Sequence, residues 1–376
     1  MIILIAGDLS LQNRAGRCLW DENQKEKAFS SVKYAVSRCD LALVNLESPV
    51  TENNKPLLKD GPTLKNPYIV FDLIKYCGFR AVTLANNHLK DYGSKGVIDT
   101  IRTCQKEGLE IVGAGQNISS ARNFLKINDG ILSVGIINVC EHESSIATRM
   151  FAGANPLDFS NLYYDITELR HQVDKVVVIV HGGREHYQLP TPRMKREYHL
   201  IADFGADVIV NHHQHCYSGY EIYKGKPIFY GIGNFFFDNP LKRNDKWNYG
   251  LLLKLNLEMD KVTFEIIPFE QCNEEPVINE LDYATIKDDI EKLSAVIADD
   301  GLLEEAFISL VKSTRPMYPF LPYSNHYLRA LYNREYLPDL VSKQNKVKIE
   351  NAVNCETHRE LLLRYFEIIL HDEQNQ

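Results

Sequence analysis

Residues 83–93 read TLANNHLKDYG and follow Phe79-Arg80-Ala81-Val82. The apolar run over 81–85 predicts a buried strand. It stops abruptly at Asn86-Asn87-His88, where two carboxamides and an imidazole sit together. Taken alone, such a cluster reads as a polar turn. The pattern recurs, however. Residues 2–6 end in Gly7-Asp8, 41–44 in Asn45-Leu46-Glu47, 176–180 in His181-Gly182-Gly183, and 208–210 in Asn211-His212-His213-Gln214-His215. In an α/β sheet the carboxyl ends of parallel strands lie along one rim, where ligands bind. The five polar clusters are therefore expected to converge in space.

Singly, each cluster has a structural reading. Gly-Asp after a strand serves as a turn or helix N-cap, and a lone strand-end histidine is usually hydrogen-bonded scaffold. His213-x-His215 carries more weight, because a strand-like i, i+2 spacing puts both imidazoles on one side. Together the donors are oxygen and nitrogen with no thiolate. That suits one or two divalent ions (Mn, Fe or Zn) at a reactive site rather than a structural zinc. The expected metal ligands are Asp8, Glu47, Asn87, His181, His213 and His215, with Glu47 able to bridge two cations. Two metals clamp the attacking and leaving oxygens of a phosphoryl displacement. His88, beside Asn87, is the expected proton donor to the leaving oxygen. Asp91 is expected to orient it, and Asn86 to serve as scaffold.

Further strand candidates are 109–112, 131–139 and 227–230. Helical periodicity occupies 25–38, 68–77, 95–107, 160–172 and 193–204. Apolar runs alternating with amphipathic helices predict an α/β protein with helix-covered sheets. Gly78 and Gly205 suit helix C-caps. Residues 251–257 and 261–269 read as an antiparallel hairpin. Beyond residue 279 the pattern is helical, over 286–298, 302–311, 327–331 and 358–370, interrupted by Pro316, Pro319 and Pro322. The expected organisation is one domain over 1–275 and a helical extension over 280–376.

The chain has 376 residues and is 44% hydrophobic, enough for a large core. Its 42 basic and 50 acidic side chains, net −8, argue against nucleic acid and anionic membrane as partners. A small basic pocket for an anionic substrate remains compatible with that balance. Eight cysteines without a CxxC pair read as buried free thiols in a reducing compartment. The opening apolar run ends at Gly7-Asp8, too short for a signal core or a membrane span. A cytoplasmic location without membrane insertion is expected.

The ordered series Gly7-Asp8, Asn45-Leu46-Glu47-Ser48-Pro49, Ala85-Asn86-Asn87-His88 with Asp91-Tyr92-Gly93, His181-Gly182-Gly183-Arg184-Glu185, Asp207 through His213-Gln214-His215, and Gly231-Ile232-Gly233-Asn234 resembles the CapA family. These are capsule and poly-γ-glutamate biosynthesis proteins of the calcineurin-like metallophosphoesterase superfamily. The motifs span roughly residues 1–270. The resemblance implies a four-layer α/β/β/α sandwich with a dinuclear metal site. It implies that Asp8, Glu47 and His215 hold one metal, and Glu47, Asn87, His181 and His213 the other. It places His88 where the transition state is stabilised or the leaving group protonated. The superfamily's Asp-x-His motif is absent, since Leu9-Ser10 follow Asp8, and Glu47 stands where a bridging Asp is usual.

Arg184 and Glu185, with Asn45, are expected to contact substrate, since Arg suits phosphate or carboxylate. Lys59 and Lys65 read as solvated loop residues. Cys140-Glu141-His142-Glu143 is a candidate pocket lining, Asn234 is expected to shape the rim, and His212 to back the ligands. The leading expectation is a metal-dependent phosphoesterase acting on a small anionic or phosphorylated substrate or a polyanionic polymer. The alternatives are a γ-glutamyl amide-bond enzyme on the same scaffold and a non-catalytic accessory protein of a polymer-synthesis complex.

Overall fold

The structure is a computed structural model that describes residues 1–16, 21–314 and 342–374, with isolated positions at 327, 331, 334 and 336. Cys18, the three interrupting prolines and most of the expected helix 327–331 lie outside the described residues.

Two mixed sheets stack face to face. The first has eight strands, in the spatial order Ile278–Glu280, Val262–Gln271, Tyr249–Leu257, Ile2–Ser10, Leu41–Leu46, Ala81–Thr83 and Glu110–Val112, with Asn234–Phe237 also paired to Ile2–Ser10. The second has six, in the order Tyr220–Tyr223, Lys226–Phe229, Val208–His212, Lys175–His181, Ser133–Cys140 and Leu125–Asn128. The first sheet is antiparallel on the side of Tyr249–Leu257 and parallel from Ile2–Ser10 to its Glu110–Val112 edge, and the second has a parallel centre with antiparallel margins.

The layering follows from side-chain alternation along each strand. Ile3 and Ile5 point between the sheets and pack with Val177, Ile179, Val208 and Val210. Leu4 and Ala6 point outward onto Phe29, Val32, Phe71 and Ile74 of helices Glu22–Val36 and Val70–Cys77. On the far side Val176, Val178 and Val180 meet Ile166, Leu169, Tyr198 and Ile201 of helices Phe159–Arg170 and Pro192–Phe204. Both faces of each central strand are covered, so its sequence is continuously apolar rather than alternating. The result is the expected four-layer α/β/β/α sandwich. Gly78 and Gly205 cap their helices with positive φ, as expected.

The expected strands and helices are present with small boundary shifts. The first strand runs to Ser10 instead of ending at residue 6, so Asp8 lies inside the sheet. The hairpin strand Leu125–Asn128 was not expected. Among the described residues seven cysteines are free, all but Cys39 buried. Among the described residues no helix is long and apolar enough to cross a membrane.

Gly7 occupies a close approach of two chain segments. A Cβ there would sit 1.8 Å from the Gly233 carbonyl oxygen. Gly7→Ala is expected to cost about 1–3 kcal/mol by forcing backbone apart, with a lower melting temperature as the readout. An unchanged melting temperature would contradict this packing.

The C-terminal helices Lys343–Asn354 and Glu356–Gln374 fold back onto the body. Phe307 and Val311 pack on Leu361. A polar clasp does the rest. Arg193 binds Glu141 at 2.5 Å and Glu360 at 3.1 Å, and also pairs with Glu197. Thr357 Oγ1 donates to Glu141, and His142 Nδ1 lies 2.5 Å from Glu356. The hydrogen bond to Glu356 raises the His142 pKa, against burial. Burial pushes Glu197 up to about 7, against Arg193.

Both groups bind protons more tightly folded than unfolded, so their own contribution to the clasp is fully present at low pH. That contribution declines from about pH 5 upward as Glu197, raised to about 7, loses its proton, and as His142 loses its own. Glu141 is shifted the other way, with Arg193 and Thr357 prevailing over burial, and its window lies lower. Amide exchange over residues 356–366, corrected for intrinsic rate, is expected to accelerate across that range. His142→Ala is expected to flatten the change. Protection that held constant or rose with pH would refute this account.

Candidate metal centre and pocket

The five polar strand ends do converge, but from two sheets rather than along one rim. Asp8, Glu47 and Asn87 come from the first sheet and its loops; His181, His212, His213 and His215 come from the second. They meet at the shared carboxyl end of the sandwich.

Asp8 is fully buried. Its Oδ1 accepts from Asn45 Nδ2 at 2.7 Å, and its Oδ2 accepts from the His213 backbone N–H at 3.2 Å. The same two oxygens lie 3.8 Å from His181 Nδ1 and 3.5 Å from His215 Nδ1. Asn45 spends its carboxamide on protein groups: its Oδ1 accepts from Thr83 and Asn86, and its Nδ2 also lies 3.3 Å from His181 Nδ1. The expected substrate contact at Asn45 is therefore corrected. This side chain is 0% exposed and holds Asp8 in place.

Glu47 is the unusual group. It is 0% exposed, and among the described residues neither carboxylate oxygen has a hydrogen-bond partner. Burial, then the neighbouring Asp8 charge, drives its pKa well above the carboxylate range. Its Oε1 lies 3.9 Å from His215 Nε2 and 4.0 Å from His88 Nε2. The turn after it is held by Asn66, whose Nδ2 donates to the Glu47 carbonyl and to Ser48 Oγ. Ser48 has φ 94°, a strained conformation for a residue with a side chain.

Asn87 Oδ1 and His213 Nδ1 each lie 3.1 Å from His181 Nε2. Asn86 donates to the Leu46 carbonyl and accepts from the His88 N–H, a scaffold role. His215 Nδ1 lies 2.8 Å from Asn234 Oδ1, and Asn234 Nδ2 donates to the Trp247 carbonyl. Fixing one ring nitrogen in this way aims the other. The strand stops at His212. His213 and His215 both take positive φ, 91° and 56°. The strand-like i, i+2 argument for that pair is thus corrected: a left-handed turn, not pleat alternation, brings them in.

Among the described residues two groups of donor atoms lie within 4.8 Å of one another: Asp8 with Glu47 and His215, and Asp8 with His181 and His212. The first is an expected set. The second brings in His212, expected only behind the ligands, whose two ring nitrogens have no hydrogen-bond partner among the described residues. The carboxylate common to both groups is Asp8, where Glu47 was expected to bridge. Burial lowers the pKa of His181, His212 and His213, the last to about 4. Neutral imidazoles keep the lone pairs that a cation needs.

The donor set fits a divalent cation on one physical ground. An isolated buried carboxylate costs several kcal/mol unless it is paired or coordinated. Asp8, Glu47, His215, His181 and His212 are placed to hold one or two ions, with Asn87 and His213 beside them.

Next to the donors sits a cavity of about 220 Å³ lined by Asn87, His88, His213, Arg184 and Glu185, among others. Glu185 is held down to about 2, the surrounding imidazoles, His213 and His215 foremost, outweighing burial. His88 Nδ1 lies 2.6 Å from Asp91 Oδ2, as expected for an oriented ring. Burial and then Lys59 lower the His88 pKa, and Asp91 opposes them. Lys59 is corrected from the solvated residue expected. It is 5% exposed, and its ammonium lies 2.6 Å from Asp91 and donates to the Asn87 carbonyl. Lys65 reaches Asn54 at 2.9 Å on the surface, away from the pocket. Of the segment 140–143, Glu143 lines the cavity, while Glu141 and His142 serve the clasp.

Asn351 and His358, from the C-terminal helices, complete the lining. Neither was a candidate from sequence, and no motif or period marked them.

A family profile described as "Bacterial capsule synthesis protein PGA_cap" matches residues 2–239. The PGA biosynthesis protein CapA of Bacillus subtilis (strain 168) is 30% identical over 286 residues, covering 74% of this chain and 72% of that protein. The capsule biosynthesis protein CapA of Bacillus anthracis is 32% identical over 221 residues, 56% of this chain and 53% of that protein. Among solved structures, a hypothetical protein from Thermus thermophilus is similar, with TM-score 0.46 and 14% identity over 75% of this chain and 100% of that one. A 5'-nucleotidase from Candida albicans is also similar, with TM-score 0.41 and 8% identity over 84% of this chain and 58% of that one.

Proposed function

This chain belongs to the family of bacterial capsule synthesis proteins, PGA_cap, and from that premise we propose that it is a divalent-metal-dependent hydrolase of phosphoesters. The observation that carries the reading is Glu47, a wholly buried carboxylate with no hydrogen-bond partner among the described residues, set 3.9 Å from His215 and 4.0 Å from His88, a residue of the polar cavity. When bound, a divalent ion supplies charge for the phosphoryl oxygens and acidifies water.

The chain's own residues have distinct tasks. Asn45 and the His213 N–H fix Asp8. Asn234 fixes His215. Asp91 accepts from His88 Nδ1 and so orients the ring, whose Nε2 lies 4.0 Å from Glu47 Oε1. An arriving phosphoester anion favours the imidazolium, which then gives its proton to the leaving oxygen. Arg184 offers a guanidinium to the substrate anion.

The names of the two relatives favour a role in capsule or poly-γ-glutamate synthesis. A second reading follows from them, in which the same centre acts on a γ-glutamyl amide. Metal analysis of protein purified without chelator, followed by turnover of an aryl phosphate with Mn²⁺, tests the first reading. Bound metal near or above one per chain and Mn²⁺-stimulated turnover are expected. Release of glutamate from a γ-linked oligomer without phosphatase activity would establish the second reading instead. A metal-free, inactive protein would defeat both and leave an accessory role.

A further inference from the structure

The cavity is closed by two residues that lie beyond the stretch matched by the family profile. Asn351 sits on helix Lys343–Asn354 and His358 on helix Glu356–Gln374. Asn351 Nδ2 lies 2.9 Å from His358 Nδ1, and both line the same cavity as His88 and His213.

Their position is anchored from both sides. Gln344 Nε2 donates to the Lys59 carbonyl at 3.3 Å, so the first helix is tied to the loop that supports Asp91. The second helix is tied through Glu356 to His142 and through Glu360 to Arg193 and Thr191. These ties flank Asn351 and His358 in sequence. A polar pair held this firmly at a cavity wall provides hydrogen-bond discrimination, because a ligand that leaves such groups unsatisfied is rejected.

Size and charge narrow the ligand. About 220 Å³ is below the usual range for drug-sized sites, about 300–1,000 Å³. Lys59 is committed to Asp91, while Arg184 has no carboxylate partner among the described residues. Asp60, Glu143 and Glu185 also line the cavity. That mixture opposes a polyanionic chain and suits a compact group bearing both donors and acceptors.

We propose that Asn351 and His358 are specificity-determining residues. They contact the leaving group of a small phosphomonoester whose alcohol part is compact and polar, of amino-acid or monosaccharide size. This rests on the phosphoesterase reading.

The test uses the metal-loaded full chain and calorimetric titration with inorganic phosphate, phenyl phosphate and a panel of compact polar monoesters that includes phosphoserine and glucose 1-phosphate. The wild type is expected to bind at least one polar monoester about tenfold more tightly than phosphate or phenyl phosphate. Asn351→Ala and His358→Gln are each expected to cut that preference to about threefold or less. Phosphate affinity, metal content and melting temperature should stay unchanged. Because His358→Gln keeps a polar side chain, it separates recognition from folding.

Equal weakening of every ligand, a preference that survives both variants, or no preference in the wild type overturns the inference. If the preference is lost in the variants but the wild type hydrolyses nothing, the hydrolase reading and the leaving-group role fall, and recognition of the ester's alcohol part by Asn351 and His358 stands. If the wild type binds no phosphate or ester, both fall.

Discussion

Glu47→Gln is expected to make the metal-free protein more stable and the metal-loaded protein less so. In chelator, the wild type keeps a carboxylate that is wholly buried with neither oxygen bonded. An unsatisfied buried polar group costs about 1–3 kcal/mol, more if charged. Burial raises the Glu47 pKa, so near neutral pH folding in chelator must either bury the charge or take up a proton. A glutamine of nearly the same shape escapes that cost, so the chelated variant should melt higher than the chelated wild type. Adding Mn²⁺ should reverse the order. The wild type gains about 2.7 kcal/mol when the ion is at a hundred times its dissociation constant. The variant, having lost an anionic donor next to Asp8 and His215, should gain little. Four melting curves decide the matter: two proteins, each with chelator and with Mn²⁺. A chelated variant that melts lower than the chelated wild type would show that Glu47 has a stabilising partner in solution. Equal Mn²⁺ stabilisation of both proteins would remove Glu47 from the metal centre.

What made the core readable is that both faces of the central strands are covered. Ile3 and Leu4 point to opposite layers, and both layers are apolar, so each strand announces itself as an unbroken run. The polar residues that end those runs stood out by contrast, which is why Asp8, Glu47, Asn87 and His181 were visible. The assignment of strands to two sheets was not visible, because an apolar run looks the same in either. His212 was undervalued for a local reason: left-handed backbone at His213 and His215 breaks the two-residue period on which the spacing argument relied. Lys59 and Asn66 escaped because each acquires meaning only from a distant partner. For Lys59 that partner is Asp91, for Asn66 the Glu47–Ser48 turn. Asn351 and His358 escaped more completely. They lie on amphipathic helices whose periodicity reports the packed face, and nothing in that period says that the polar face closes a cavity.

His88→Ala is expected to lower turnover by about 10²–10⁴-fold, the usual worth of a positioned proton donor, while leaving metal content within error. The ring makes no contact closer than 4.0 Å to Glu47, so its removal should spare the donor set. The partners behind it are a different matter. Asp91 holds His88 Nδ1, Lys59 Nζ and the Leu64 N–H at 2.6–2.7 Å, and its side chain is 0% exposed. Asp91→Asn keeps the shape but leaves the Lys59 ammonium buried without its counter-charge. Breaking a buried pair from one side costs about 3–5 kcal/mol, so Asp91→Asn should lose stability as well as turnover. The two variants therefore separate chemistry from scaffold. His88→Ala should show a large fall in kcat with a melting temperature close to wild type, and Asp91→Asn a fall in both. Retention of turnover within about threefold in His88→Ala, with metal bound, would remove His88 from the proton-transfer role.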